Sequence, residues 1–236
     1  MGRSQNAALV IGASGPPGLD PDRSANGHAT ALFYDWQFSG NDDEYLDPAR
    51  YQYREFFVLV DALYHGKPVA YCPYIFVDND AALARGWTQG YPKRLGQIFQ
   101  TRYYAATGKA GPALAAGSKF AGSLTSAGQR LAEGVVTLRE PVTDLSRLAQ
   151  RPVVNLLHFP QLAADKQDKP AIHELVENVP HDVKIAEAWA GEGSLVLPVC
   201  RGEELSDLAP VRCGKGIRAS MAYVVDDLKT LKNLEA

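Results

Sequence analysis

Near the middle of the chain a lysine and an arginine stand side by side, Lys93-Arg94, after Tyr91-Pro92 and before Leu95-Gly96. A lysine does covalent chemistry only as the neutral amine, and removal from water or a neighbouring cation favours that form. With an unperturbed pKa of about 10.4, roughly 1 lysine in 2,500 is neutral at pH 7, so a reactive one needs a lowering of about 3–4 units. Burial can supply that much, whereas a neighbouring charge at surface-like dielectric supplies less. Desolvation is therefore expected to dominate at Lys93. Arg94 is the expected secondary, pKa-tuning charge, with a smaller part if it points away. A neutral lysine attacks carbonyl carbons and forms Schiff bases. The plainer reading is a solvated pair of cations on a surface turn.

The second chemical group is a carboxylate. Tyr51, Tyr53, Glu55, Phe57 and Leu59 share one face of a strand by period two, which sets Glu55 in an aromatic row. On pattern alone the acid reads as a rim residue in water, and the other option is a buried acid. Tyr91 reads either as packing or as a substrate-facing wall with a hydroxyl to offer.

These residues need elements to hold them. Residues 71–77 read as a strand, Asp78-Asn79-Asp80 as a polar turn, and 81–87 as a short helix followed by a glycine-bearing turn. Upstream, 51–63 and 69–77 are rich in aromatic and β-branched residues around a turn at 65–68, which predicts a strand pair. Further strands are expected at 30–38, 97–104, 119–125, 130–140, 153–159, 171–179, 184–189, 194–199 and 218–225. Residues 39–50 read as a polar loop, 105–116 as a small-residue connection, and 226–234 as a closing amphipathic helix. Many short strands predict an α+β chain built mainly of antiparallel sheet, a barrel or sandwich with few helices, forming one domain over 1–236.

Composition narrows the function classes. The hydrophobic fraction of 46% and charged fraction of 22% are ordinary for a globular protein. The net charge is -3 and no basic block occurs, so no nucleic-acid partner is expected, and a small molecule is the better default. Three cysteines (Cys72, Cys200, Cys213) point to a reducing compartment, and cytoplasmic is the simplest location. The five histidines lack paired ligand spacing, so no metal is expected. No apolar run approaches the length of a membrane span, and the first 15 residues are too short and glycine-rich for a signal peptide. The run AALVIGASGPPG (7–18) imitates a dinucleotide-binding turn through Gly12, Gly15 and Gly18. The following GLDPDRSANGHAT has no helical periodicity to present N–H groups to a pyrophosphate. No cofactor is expected.

The stretch VDNDAALARGWTQGYPKRLG (77–96) closely resembles the lysine motif of the acetoacetate decarboxylase family, in which D-N-[DE] leads through a glycine-bearing segment to Y-P-K-[KR]-L-G. Tyr53-Arg54-Glu55 resembles that family's Y-x-E context. Glu187-Ala188-Trp189-Ala190-Gly191, with Leu195, Leu197 and LSDLAPV (205–211), resembles its E-A-W-x-G segment and the residues after it. The resemblance covers roughly residues 50–230. It implies an antiparallel β-barrel with a few peripheral helices, an apolar interior holding the lysine, and a homo-oligomer. It also implies a Schiff base on Lys93, activated by a route for which acetoacetate decarboxylase is the known example. Glu55 would then transfer protons or position the carbinolamine, and Tyr91 would line the substrate site.

The activity implied is decarboxylation of a small β-keto acid. Relatives using the same lysine add, dehydrate or cyclise pyruvate and other 2-oxo acids, and a non-catalytic apolar-ligand barrel is a third possibility. Two departures bear on this choice. Family decarboxylases carry a carboxylate-binding arginine in the N-terminal strand, for which Arg3, Arg23, Arg50 and Arg54 are loose counterparts here. Arginine, not a second lysine, follows Lys93.

Overall fold

The strand pair 53–64 and 67–77 is the spine of the fold, and most of its residues away from the 65–68 turn are buried, on both faces. In this computed structural model the described residues are 2–3, 15–25, 28–106, 108–148, 150–166, 168–225 and 228–234. In chain order the strands are β1 (Gly2–Arg3), β2 (Leu19–Pro21), β3 (His28–Trp36), β4 (Tyr53–Tyr64), β5 (Lys67–Val77), β6 (Lys93–Leu95), β7 (Gln97–Gln100) and β8 (Lys119–Ser126). They continue as β9 (Gln129–Pro141), β10 (Val153–Phe159), β11 (Ile172–Asn178), β12 (His181–Val196), β13 (Arg212–Cys213), β14 (Lys215–Val224) and β15 (Leu228–Asn233).

Two curled sheets result. The larger runs β13-β1-β3-β4-β5-β10-β11-β15, with β2 on β4 and β6 on β5, and the smaller runs β14-β12-β9-β8-β7. The pairings are antiparallel except β10 and β6, which run parallel to β5. The expected mainly antiparallel architecture with few helices is what forms.

Period-two alternation splits β4 between two cores. Phe56, Val58, Val60 and Ala62 join Phe76, Ile98, Leu124 and Leu131 in the large core. Phe57 and Leu59 turn the other way, toward Ala70, Cys72, Ile75 and Val153, with Tyr34 and Tyr91 against them. A strand covered on both faces reads as a nearly continuous apolar run, as this one does.

Several boundaries differ from the expectation. The strand expected at 97–104 stops at Gln100, and 184–189 and 194–196 belong to the one strand β12, which carries two register shifts against β14 and ends at Val196, short of the expected 199. The polar loop holds a 3-10 turn (Asp42–Leu46) and a one-turn helix (Pro48–Tyr51). The closing helix is instead β15, antiparallel to β11. Its leucines are three apart, which suggests a helix, but an irregularity at Leu231 puts one extra residue into the strand. Leu228 and Leu231 can then turn to one side without helical spacing. Residues 7–14 of the glycine run lie outside the described residues. From Gly15 to Ala25 the chain makes a turn, β2 and a 3-10 turn, so no α-helix begins there.

Candidate active site

The helix Asp80–Thr88 sets the position of Lys93. Asn79 caps it, its side-chain oxygen accepting the Ala82 N–H at 2.9 Å. Its far end closes with Gly90 at φ +77, where Gly90 N–H bonds Trp87 carbonyl (3.1 Å) and Tyr91 N–H bonds Gly86 carbonyl (2.9 Å). That paired closure needs a left-handed residue, which glycine supplies without strain. A three-residue turn across Pro92 comes next, Lys93 N–H to Tyr91 carbonyl at 2.8 Å, and the chain enters β6 beside β5. The Trp87 indole N–H donates to the Lys93 carbonyl at 2.9 Å and ties helix to strand.

Alternation along β6 sends its two cations to opposite sides. Lys93 faces inward and is 6% exposed. Its stem lies against Gly86, where an added Cβ would overlap Lys93 Cγ, Cδ and Cε. Arg94 faces outward over the Phe76 ring, its guanidinium forked onto Glu203 at 2.6 and 2.7 Å. The structure thus does not bring Arg94 to the lysine, and its charge is taken by a carboxylate 109 residues away in sequence.

Glu55 is 5% exposed, which corrects the reading of it as a rim residue in water. Its side chain lies between Trp36 from the neighbouring strand β3 and the lysine. Lys93 Nζ lies 2.8 Å from Glu55 Oε1, both side chains buried. The Trp36 indole N–H donates to Oε2 at 3.2 Å. The Lys93 contact is one of charge more than of aligned hydrogen bonding, since Oε1 has no hydrogen-bond donor in line with it. A buried carboxylate oxygen with spare lone-pair capacity beside an ammonium can take a proton from it.

Around this pair stands an aromatic wall. Tyr34 and Trp36 on β3 lie opposite Glu55 and Tyr53 on β4 by register. Trp36 packs edge-on to Tyr34 (5.1 Å) and to Tyr223 from β14 of the other sheet (5.4 Å). Lys93 Nζ sits 5.6 Å from the centre of the Tyr53 ring. Burial pushes the Tyr34 phenol up to about 12, and Tyr53, Tyr91 and Tyr223 are also raised by burial, with the Glu55 carboxylate adding to each. All four stay protonated at neutral pH. Burial also raises the Cys72 thiol, so it is not a thiolate nucleophile.

Tyr91 packs against the cluster of Phe57, Leu59, Cys72 and Ile75. A depression of about 350 Å³ beside it is lined by Trp87, Gly90, Tyr91, Pro92, Leu156, His158 and Phe159, and neither Lys93 nor Glu55 lines it.

Lys93, Glu55 and Tyr91 are therefore brought to one side of the larger sheet, and Arg94 is not. Of the loose arginine counterparts, Arg54 bonds the Ile98 carbonyl and pairs with Asp78, and Arg50 pairs with Asp47. Arg23 lies on an exposed 3-10 turn, and the Arg3 side chain is outside what is described. The E-A-W segment forms an irregularity of β12, where Glu187, at φ +50, is bonded by Arg218 and Ser220. Sequence reasoning missed Trp36, Tyr34 and Tyr223. Alternation marks Tyr34 and Trp36 as neighbours on one strand face, but only the cross-strand register sets them on Glu55.

The family model described as acetoacetate decarboxylase (ADC) matches residues 15–234. No curated protein matches the sequence. Among solved structures, the enduracididine biosynthesis enzyme MppR complexed with pyruvate superposes with a TM-score of 0.86 at 33% identity, over 98% of this chain and 86% of that one. MppR complexed with the condensation product of pyruvate and imidazole 4-carboxaldehyde gives 0.87 at 33%, over 99% and 85%. An acetoacetate decarboxylase-like enzyme from Sphingomonas wittichii RW1 gives 0.83 at 23%, over 98% and 89%. Acetoacetate decarboxylase from Legionella pneumophila gives 0.80 at 18%, over 100% and 84%, and at such identities the likeness is one of fold. With the fold, the lysine motif and the family match in agreement, the chain belongs to the acetoacetate decarboxylase family.

Proposed function

We propose that this protein is a carbon–carbon lyase that captures a small 2-oxo acid, pyruvate or a relative, as a Schiff base on Lys93 and works through the derived enamine. The observation that carries this reading is the buried contact of 2.8 Å between Lys93 Nζ and Glu55 Oε1. Glu55 takes a proton from the ammonium, and the freed lone pair attacks the ketone carbon while the carbonyl π electrons move to oxygen. Glu55 returns the proton to that oxygen, giving a carbinolamine. The carbinolamine nitrogen, which still carries two protons, passes one through Glu55 to the hydroxyl, and its freed lone pair expels that group as water and leaves an iminium. Loss of an α-proton to Glu55 gives the enamine, whose carbon attacks an aldehyde. Glu55 protonates the new alkoxide and takes a second α-proton, the hydroxyl leaves as water while the carbon–carbon double bond forms, and hydrolysis of the iminium frees the product and Lys93.

The preference for pyruvate rests on MppR, 33% identical over nearly the whole chain and solved with pyruvate and with a pyruvate condensation product. The second reading, decarboxylation of a β-keto acid such as acetoacetate, rests on the family match. It uses the same iminium as the sink for the electrons of the breaking carbon–carbon bond as CO2 departs. Borohydride reduction with pyruvate and, separately, with acetoacetate tests both, read by peptide mass spectrometry alongside CO2 release. The expected result is a reduced pyruvyl adduct on Lys93 that Lys93→Ala abolishes, with little CO2 from acetoacetate. Steady CO2 release favours decarboxylation, and labelling elsewhere or nowhere ends the Schiff-base reading.

A further inference from the structure

Arg85 lies one residue before Gly86, the position against which the Lys93 stem packs. One short helix therefore places both cations. Arg85 has no carboxylate partner among the described residues: its Nη1 donates to the Ser39 carbonyl (3.2 Å) and its Nη2 to the Tyr53 hydroxyl (3.2 Å). Arginines near the site that could compete for an anion are already paired, Arg54 with Asp78, Arg94 with Glu203 and Arg102 with Asp35. Both Arg85 and Lys93 address the same ring, with Arg85 Cζ 5.9 Å and Lys93 Nζ 5.6 Å from the centre of Tyr53. Because the Tyr53 oxygen accepts from the guanidinium, its own proton is left to give, and it has no acceptor among the described residues. An uncompensated guanidinium with free N–H groups next to an unspent phenol proton is complementary to a planar anion.

We propose that Arg85 and the Tyr53 hydroxyl bind the carboxylate of the oxo acid whose ketone Lys93 captures. This assignment rests on the Schiff-base reading of Lys93. It makes a residue of the helix, and none from the N-terminal strand, the carboxylate contact, and it selects charged over neutral carbonyl compounds. Arg85 is exposed, so the anion is met at the rim while the ketone carbon reaches the buried amine.

The test compares pyruvate with acetone, which has the ketone and lacks the carboxylate. Half-labelling concentrations for borohydride trapping on Lys93 are measured in the wild-type protein and in Arg85→Met, Arg85→Lys and Tyr53→Phe. The ratio of acetone to pyruvate half-labelling concentrations should fall roughly 10- to 100-fold in Arg85→Met and less in Tyr53→Phe, with Arg85→Lys recovering part of it. An unchanged ratio in Arg85→Met overturns the assignment, as does an equal loss for both compounds, which would mark a general effect on the nucleophile. Wild-type labelling by acetone without preference for pyruvate overturns it while leaving the lysine reading intact. No labelling of Lys93 by either compound removes that reading and this one with it.

Discussion

Strand β4 carries two carboxylates withdrawn from water, Glu55 and Asp61, and their surroundings differ. Asp61 belongs to a charge network with several partners. Its Oδ2 meets His28 Nδ1 at 3.0 Å and Arg151 at 3.4 Å, and Arg151 also pairs with Asp22 at 2.8 Å. Asp22 in turn accepts from the Ser24 N–H at 3.0 Å and from its hydroxyl at 2.5 Å. Glu55 has one indole donor and one ammonium, and an oxygen without an aligned hydrogen bond. A charge cluster with several partners for each acid ties the residue after β2, β4 and the Arg151 segment together. A pair left under-bonded costs stability and keeps a site where a proton can move. Under the proposed function, the difference separates a structural network from a reactive one within one strand.

Four variants put that contrast at risk. Replacing the reactive pair as a unit, Lys93→Met with Glu55→Leu, should lower turnover by at least about 1,000-fold, because the nucleophile is gone. The double variant should still match or exceed wild-type stability in urea denaturation, since apolar replacement of a buried ion pair is often neutral or favourable by about 1–4 kcal/mol. A loss above about 2 kcal/mol would make the pair structural after all.

Gly86→Ala acts on geometry alone. Its methyl group occupies the space of the Lys93 stem, so trapping with pyruvate should fall about 100-fold, the scale of a misplaced reacting group. Wild-type labelling in that variant would mean that the stem has room to move aside.

On the structural side, Arg151→Met should cost about 2–3 kcal/mol, somewhat less than the roughly 3–5 kcal/mol for breaking a fully buried pair, because the arginine is partly exposed. Lys93 labelling should stay within about twofold when measured well below the unfolding midpoint. The smallest effect is expected at Arg94. Arg94→Met removes a half-exposed pairing with Glu203, so stability should drop by less than about 1 kcal/mol with the pH profile of Lys93 trapping unmoved. A displaced profile would restore Arg94 as the charge that tunes the lysine.

Short-range chemistry is the part of this fold that is legible in the sequence. The Asn79 cap, the helix, the glycine that closes it and the proline after it follow from adjacent residues, and together they deliver Lys93 to β6. The strand pair around His65-Gly66 is equally local. Where the reading departs from the structure, the deciding partner is distant. Glu55 looks solvated because neither Trp36 across the register nor Lys93 is near it in sequence, and burial follows from both. Arg94 looks like a companion of Lys93 because they are adjacent, yet alternation in β6 parts them and Glu203 holds the arginine. Residues 228–233 keep a helical spacing but take the free edge of β11, since an unpaired edge offers more backbone bonding than a short isolated helix.

The amino-acid order thus specifies the lysine, the local scaffold that presents it and the family to which that scaffold belongs. Tertiary contacts settle which acid faces the lysine, which arginine turns away and which stays uncompensated. Those outcomes depend on strand register and sheet curvature, which are set by contacts between residues far apart in the chain.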